Sequence, residues 1–175
     1  MKTISVWQPW ASLIAAGVKT VENRSRPTRY RGRVLIHAGQ RVDGEALAVV
    51  DDLLREAGID PTDWPHGALV GCATLVDCVT ESEDEFFEGP YGYILEDAVT
   101  FDNPIPARGQ LGLYDTPLLP VAAVAAILGK SPTTVRAHLL RLGLGQKIGR
   151  DYMIDDHDLA RLIEVPPPGR PAKPR

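Results

Sequence analysis

Residues 4–25 restrict the architecture more than any other stretch of this chain. Ile4-Ser5-Val6 is a short β-branched run, Gln8-Pro9-Trp10 interrupts it, and an apolar helical segment then runs to Gly17. A left-handed backbone turn costs glycine nothing, so Gly17 is predicted to end that helix. Val18-Lys19-Thr20-Val21-Glu22 beyond it reads as extended, with side chains alternating between faces. Lys19 would share one face with Val21, and Thr20 the other with Glu22. A lysine and a carboxylate at a turn-to-strand junction can line a pocket that grips a polar ligand.

Further along, the pattern predicts short strands around one or two helices. Thr3 to Val6 is a strand, Trp10 to Ala16 a helix, and Lys19 to Glu22 and Val34 to Ala38 are extended. Gly44 to Ala57 carries Leu47, Val50, Leu53 and Leu54 at helical spacing, and Gly58 stops it. Ala68 to Cys78 is a long strand and Tyr91 to Leu95 a short one. Gly109 to Tyr114 follows the break at Pro104 and Pro106. Such an order suits a small mixed barrel.

Four segments keep a specific order and spacing: Ile4–Ser25, Arg31–Ala38, Gly67–Leu75 and Ile105–Tyr114. Together they resemble the ASCH domain, a relative of the PUA fold, across residues 1–115. That resemblance implies an α+β architecture, a PUA-like mixed β-barrel with flanking helices. Gln8-Pro9-Trp10-Ala11-Ser12-Leu13 and Glu22-x-Arg24-Ser25 look closest to the coactivator-type domain of that family. This implies a cleft that binds RNA, DNA or a modified nucleoside, with Trp10, Lys19, Glu22, Arg24, Arg31, Arg33 and His37 as its candidate residues. Lysine and arginine would hold phosphates, Trp7 or Trp10 would offer a stacking plane, and Glu22 would accept from a base amino group. Core packing is the competing role for either tryptophan, and a hydrogen-bonded core position the competing role for His37.

Some small bacterial ASCH proteins are amidohydrolases acting on N4-acetylcytidine, which gives an alternative function on an N4-acylated cytidine-like nucleoside. Lys19 matches their lysine, but the position of their threonine holds Glu22, and Thr20 is predicted to point away. Lys19 as base and Glu22 as acid would then be the catalytic pair.

Charge divides the chain. Residues 1–115 carry ten Lys/Arg against eighteen Asp/Glu, a net of −8, whereas residues 116–175 carry nine against five, a net of +4. Opposite balances argue for surfaces with different partners. Arg24, Arg26, Arg29, Arg31 and Arg33 cluster within the acidic part, and Glu81, Glu83, Asp84, Glu85 and Glu88 read as a solvated loop. No apolar run approaches the roughly 20 residues of a membrane span, and the N-terminus enters a strand directly, so a soluble cytoplasmic protein is expected. Cys72 and Cys78 read as small buried fillers. Two thiols do not make a zinc site, and neither metal nor cofactor is expected.

Residues 117–165 change character. Val121–Leu128 is alanine-rich and helical, Gly129 ends it, and Ser131-Pro132 supplies an N-cap with proline at the first helical position. Thr133 to Leu142 is a second helix, Gln146 to Ile154 a two-stranded wing, and Asp156 to Glu164 a closing helix. This order resembles the mainly-α winged helix-turn-helix units of excisionase and MerR-like DNA binders. The resemblance implies duplex DNA contacts from Ser131, Thr133, Thr134, Arg136, His138 and Arg141, with Lys147 and Arg150 on the wing. Packing against the first domain or a protein partner is the alternative. Such a unit often pairs, which makes a homodimer compatible with the sequence. In the Pro-rich tail, 166–175, Pro168-Gly169-Arg170-Pro171 resembles an AT-hook core without its usual basic residue before the glycine. A disordered basic tail accounts for it equally.

Overall fold

Strand β1 (Lys2–Gln8) alternates buried Ile4 and Val6 with the more exposed Ser5 and Trp7, and leads into helix α1 (Trp10–Ala15). Buried Gln8 links the two. Its Oε1 accepts from Ser12 N at 3.1 Å and its Nε2 donates to Pro65 O at 2.9 Å. The computed structural model describes residues 1–163 and separates two units, Met1–Thr116 and a second from Pro117 onward.

Gly17, at φ +77°, turns the chain out of α1. Val18 N and Lys19 N both donate to Leu13 O, at 2.9 and 3.2 Å, so Lys19 still belongs to the turn. Strand β2 (Val21–Arg24) begins only two residues later. The strand alternation expected for 18–22 therefore does not apply at Lys19, whose side chain meets Glu22 rather than facing away from it.

Next come β3 (Gly32–Val42), helix α2 (Gly44–Glu56), β4 (Ala68–Val79), β5 (Tyr91–Pro106) and β6 (Leu113–Asp115). Asp43 caps α2 by accepting from Ala46 N at 3.1 Å. The six strands form one mixed sheet in the order β2-β5-β4-β3-β1-β6, with β1 and β3 parallel and the other pairs antiparallel. β5 runs far beyond the Tyr91–Leu95 expected from sequence, straight through Pro104. Its register with β4 passes from Thr100 opposite Gly71 to Ile105 opposite Leu69, so Pro104 falls in an irregular stretch of that ladder. β6 is shorter than the predicted Gly109–Tyr114 and pairs only with Lys2–Ile4. Beyond Ile4 that edge of β1 is open, and Arg24 Nη2 on β2 donates to Ser5 O across the opening at 2.8 Å. This bond brings the edge strand β2 to β1, so the sheet curls upon itself.

Inside the curl, Ile4, Val6, Ile14, Val34, Ile36, Val70, Ala73, Leu75, Tyr93 and Leu95 form the main core. A second cluster, Leu13, Val50 and Leu54, packs α1 against α2. Cys72 and Cys78 are both free thiols. Among the described residues no helix is long and apolar enough to cross a membrane.

The second unit holds β7 (Leu119–Pro120), α3 (Val121–Ile127), α4 (Pro132–Leu142), β8 (Gln146–Ile148), β9 (Asp151–Ile154) and α5 (Asp156–Ile163), with a small sheet ordered β7-β9-β8. Ser131 caps α4, its Oγ accepting from Thr134 N at 3.1 Å, and Gly143 ends the helix at φ +64°. Val124, Val135, Leu139, Ile154, Leu159 and Leu162 are buried. The tail motif around Arg170 lies outside the described residues.

At Gly71 on β4 both α1 and β5 come close. A Cβ there would stand 2.5 Å from Val99 O and 2.8 Å from Ala15 Cβ. Gly71→Ala is expected to cost about 1–3 kcal/mol, seen as a lower urea midpoint at unchanged slope. A wild-type midpoint would show that both the Val99 carbonyl on β5 and α1 can give way freely.

Candidate functional site

Where β2 and the open stretch of β1 face one another lies a cleft of about 760 Å³, closed further by α2 and residues 85–88. Its centre is a chain of charges. Lys19 Nζ donates to Val21 O and lies 3.3 Å from Glu22 Oε2, while Arg24 Nη2 lies 3.1 Å from Glu22 Oε1. One carboxylate thus serves two cations. Lys19 is 4 % exposed, and that burial pushes its ammonium pKa below the ordinary lysine range despite the opposing pull of Glu22.

Aromatic rings wall this centre. The Trp10 and Phe86 rings meet edge to face at 6.1 Å, and Lys19 Nζ lies 5.5 and 5.8 Å from their centroids. Trp10 Nε1 donates to Asp43 Oδ2 at 3.0 Å, which holds the Asp43 carboxyl below the usual carboxylate range. Asn23 anchors the 85–88 segment: its Nδ2 donates to Phe86 O at 2.7 Å and its Oδ1 accepts from Glu88 N at 3.0 Å. Trp7 stands at the cleft mouth, 49 % exposed, with the Arg41 guanidinium 5.4 Å from its ring centroid.

Of the residues singled out from sequence, Trp10, Lys19, Glu22 and Arg24 come together here. Arg31, Arg33 and His37 do not line the cleft. Arg31 pairs with Asp77 at 2.6 Å, and Arg33 donates to Asp97 O, Thr74 Oγ1 and the buried Cys72 thiol. His37 is a buried, doubly bonded histidine between Ser5 Oγ at 3.1 Å and Ala107 O at 3.0 Å. The carbonyl can only accept, so Nε2 donates to Ala107 O. Sequence patterning missed Phe86, Asp43 and the flanking Glu45, Glu85 and Glu88. A pair of phenylalanines set inside an acidic run was the available signal for Phe86.

As for hydrolysis, Thr20 Oγ1 donates to Asp84 Oδ2 at 2.7 Å and is engaged away from Glu22. In the second unit, Thr133, Arg136, Arg141, Lys147 and Arg150 are all exposed. Ser131 and Thr134 are occupied with one another, their hydroxyls 2.9 Å apart. His138 is half-buried, and its pKa is lowered by burial and then by Lys130 and Arg141. Asp155, His157 and Asp158 have ligand atoms within 4.8 Å of one another, but Asp155 Oδ1 accepts from Asp158 N and Asp158 Oδ2 from Gly145 N. The first bond lies at the start of α5, and the second ties the turn before β8 to that helix.

Glu22→Ala would leave buried Lys19 and half-buried Arg24 without the carboxylate they share. Breaking such a pair costs about 3 kcal/mol or more, so this variant is expected to unfold at markedly lower urea concentration. A stability within about 0.5 kcal/mol of the parent would show that solvent screens the site.

The ASCH domain family model matches residues 4–99. Activating signal cointegrator 1 of Mus musculus and that of Homo sapiens are each 40% identical to this chain over 85 residues. The match covers 46% of this chain but only 15% of the length of those relatives. Among solved structures, ASCH from Zymomonas mobilis is 23% identical with a TM-score of 0.38, over 60% of this chain and 72% of that one. A point variant of the same bacterial protein gives a TM-score of 0.37 over 60% and 74%. With more than half of its residues matched by that one family model, this chain belongs to the ASCH domain family.

Proposed function

We propose that this chain binds nucleic acid through two surfaces, a cleft in the ASCH unit that receives one unstacked base and a second unit that holds duplex DNA. The observation that carries the first part is the aromatic wall of Trp10 and Phe86 around a fixed Lys19–Glu22–Arg24 centre. A base offers a face to stack and an edge to bond, and an aromatic wall beside fixed polar groups answers both. Activating signal cointegrator 1, the relative in two mammals, supports a regulatory setting by its name.

For the second unit, residues 117–150 contain Lys130, Arg136, Arg141, Lys147 and Arg150 and no acidic residue. The helix α4 turns Thr133, Arg136, Leu140 and Arg141 outward, opposite the buried Val135 and Leu139. A winged helix-turn-helix would use that face in the major groove, with arginine on base or phosphate, Leu140 against a thymine methyl, and Lys147 and Arg150 of the hairpin on the backbone. Two chains on a two-fold site would strengthen the grip.

Hydrolysis of an N4-acylated cytidine has one observation in its favour, the lowered pKa of Lys19, which would let it act as a base with Glu22 as acid. Against it, the glutamate carboxylate is already shared between two cations. Incubation with N4-acetylcytidine is expected to give no deacetylation; turnover lost in Lys19→Ala would replace recognition with catalysis.

Binding of labelled duplex DNA by fluorescence polarisation across a salt series tests the main proposal. Full-length protein is expected to bind with a logarithmic salt slope of about −3 to −4, as four phosphate contacts at about 0.9 each require. Residues 1–116 alone should show no such slope. Arg136→Ala should weaken binding about tenfold. Unchanged affinity in that variant would remove α4 from the DNA interface.

A further inference from the structure

The cleft is walled by aromatic rings, yet its lining is acidic. Two cations, Lys19 and Arg24, stand among five carboxylates, Glu22, Asp43, Glu45, Glu85 and Glu88, a net of three negative charges. Glu22 is spent on Lys19 and Arg24. Asp43 is kept ionised by the Trp10 hydrogen bond. Glu45, Glu85 and Glu88 are exposed at the rim, and none of them joins an ion pair among the described residues. A phosphate entering here would meet a field of its own sign, whereas a cation would be drawn in.

We propose that the cleft selects a positively charged, N-alkylated base and excludes phosphate from its interior. This rests on the base-binding reading of the ASCH unit and names the chemical class of the base. Two features favour it. Ring faces of tryptophan and phenylalanine attract cations, and the carboxylates supply the counter-charge. The interior already holds one ammonium in this way, Lys19 Nζ near both rings and Glu22. A methylated lysine side chain carries the same charge, but its head group is small for a space of about 760 Å³.

The test uses full-length protein and three nucleosides at neutral pH, followed by tryptophan fluorescence or calorimetry. 1-Methyladenosine is cationic, N6-methyladenosine is its uncharged isomer with the same methyl group, and adenosine lacks the methyl. 1-Methyladenosine is expected to bind about tenfold more tightly than either, and its 5′-monophosphate more weakly than the nucleoside. Glu85→Gln combined with Glu88→Gln, both at exposed positions, should shrink the preference without changing the unfolding midpoint. Equal binding of the three nucleosides, or tighter binding of the monophosphate, would overturn this proposal while leaving base recognition standing. Binding of none of them would overturn base recognition as well. A trimethyl-lysine peptide that binds more tightly than 1-methyladenosine would assign the cleft to a protein partner instead.

Discussion

A single carboxylate, Glu22, ties together the three pieces of chain that make the ASCH cleft. Through Lys19 it reaches the turn that leaves α1, and through Arg24 it reaches β1, whose Ser5 carbonyl takes the other bond of that guanidinium. Three charges with little exposure would cost several kcal/mol each if left alone. Here each is bonded, and the two cations hold the anion from opposite oxygens. The consequence is geometric: β2 cannot drift from β1 without separating charges, so the cleft keeps its width. Trp10 and Phe86 are set around this centre, and each is pinned by a polar bond of its own, Trp10 to Asp43 and the Phe86 carbonyl to Asn23.

Much of this centre was legible in the sequence because it is local. Gly17, Lys19, Glu22 and Arg24 fall within eight residues, and the glycine announces where the chain must turn. The face assignment failed because strand alternation was applied three residues too early. Two amide bonds to Leu13 O keep the chain in the helix-capping turn past Gly17, and a turn residue has no strand parity. Arg31, Arg33 and His37 were drawn into the cleft by sequence proximity. Whether a strand position faces a cleft depends on its neighbours in the sheet, and β3 lies between β4 and β1 with its polar residues bonded to their surroundings. Phe86, Glu85 and Glu88 come from a loop more than sixty residues away, held by Asn23, and no local pattern could place them. The length of β5 was hidden for a related reason: proline breaks a strand only where its missing donor would have had a partner.

The two units divide the electrostatic work. The ASCH unit carries its negative excess up to the rim of its own cleft, which suits a ligand that enters base first and leaves its backbone outside. From Pro117 to Arg150 the chain holds no acid at all, which suits the opposite task of lying along a polyanion. Placing both tasks on one surface would set the fields against each other. On the function proposed above, separate units would let one chain hold a backbone and inspect a base.

Glutamate at position 22 also bears on whether the cleft inspects or reacts. A hydroxyl there would stand beside a desolvated lysine as an activated nucleophile. A carboxylate instead pairs with the ammonium form of the lysine and shares its other oxygen with Arg24. Burial pulls the Lys19 pKa down, and the carboxylate works against that pull. The side chain that closes the fold therefore opposes, without outweighing, the effect of burial on Lys19. It also takes the place where a hydroxyl nucleophile would stand, and leaves a cleft with an aromatic wall and a carboxylate bonded to two cations.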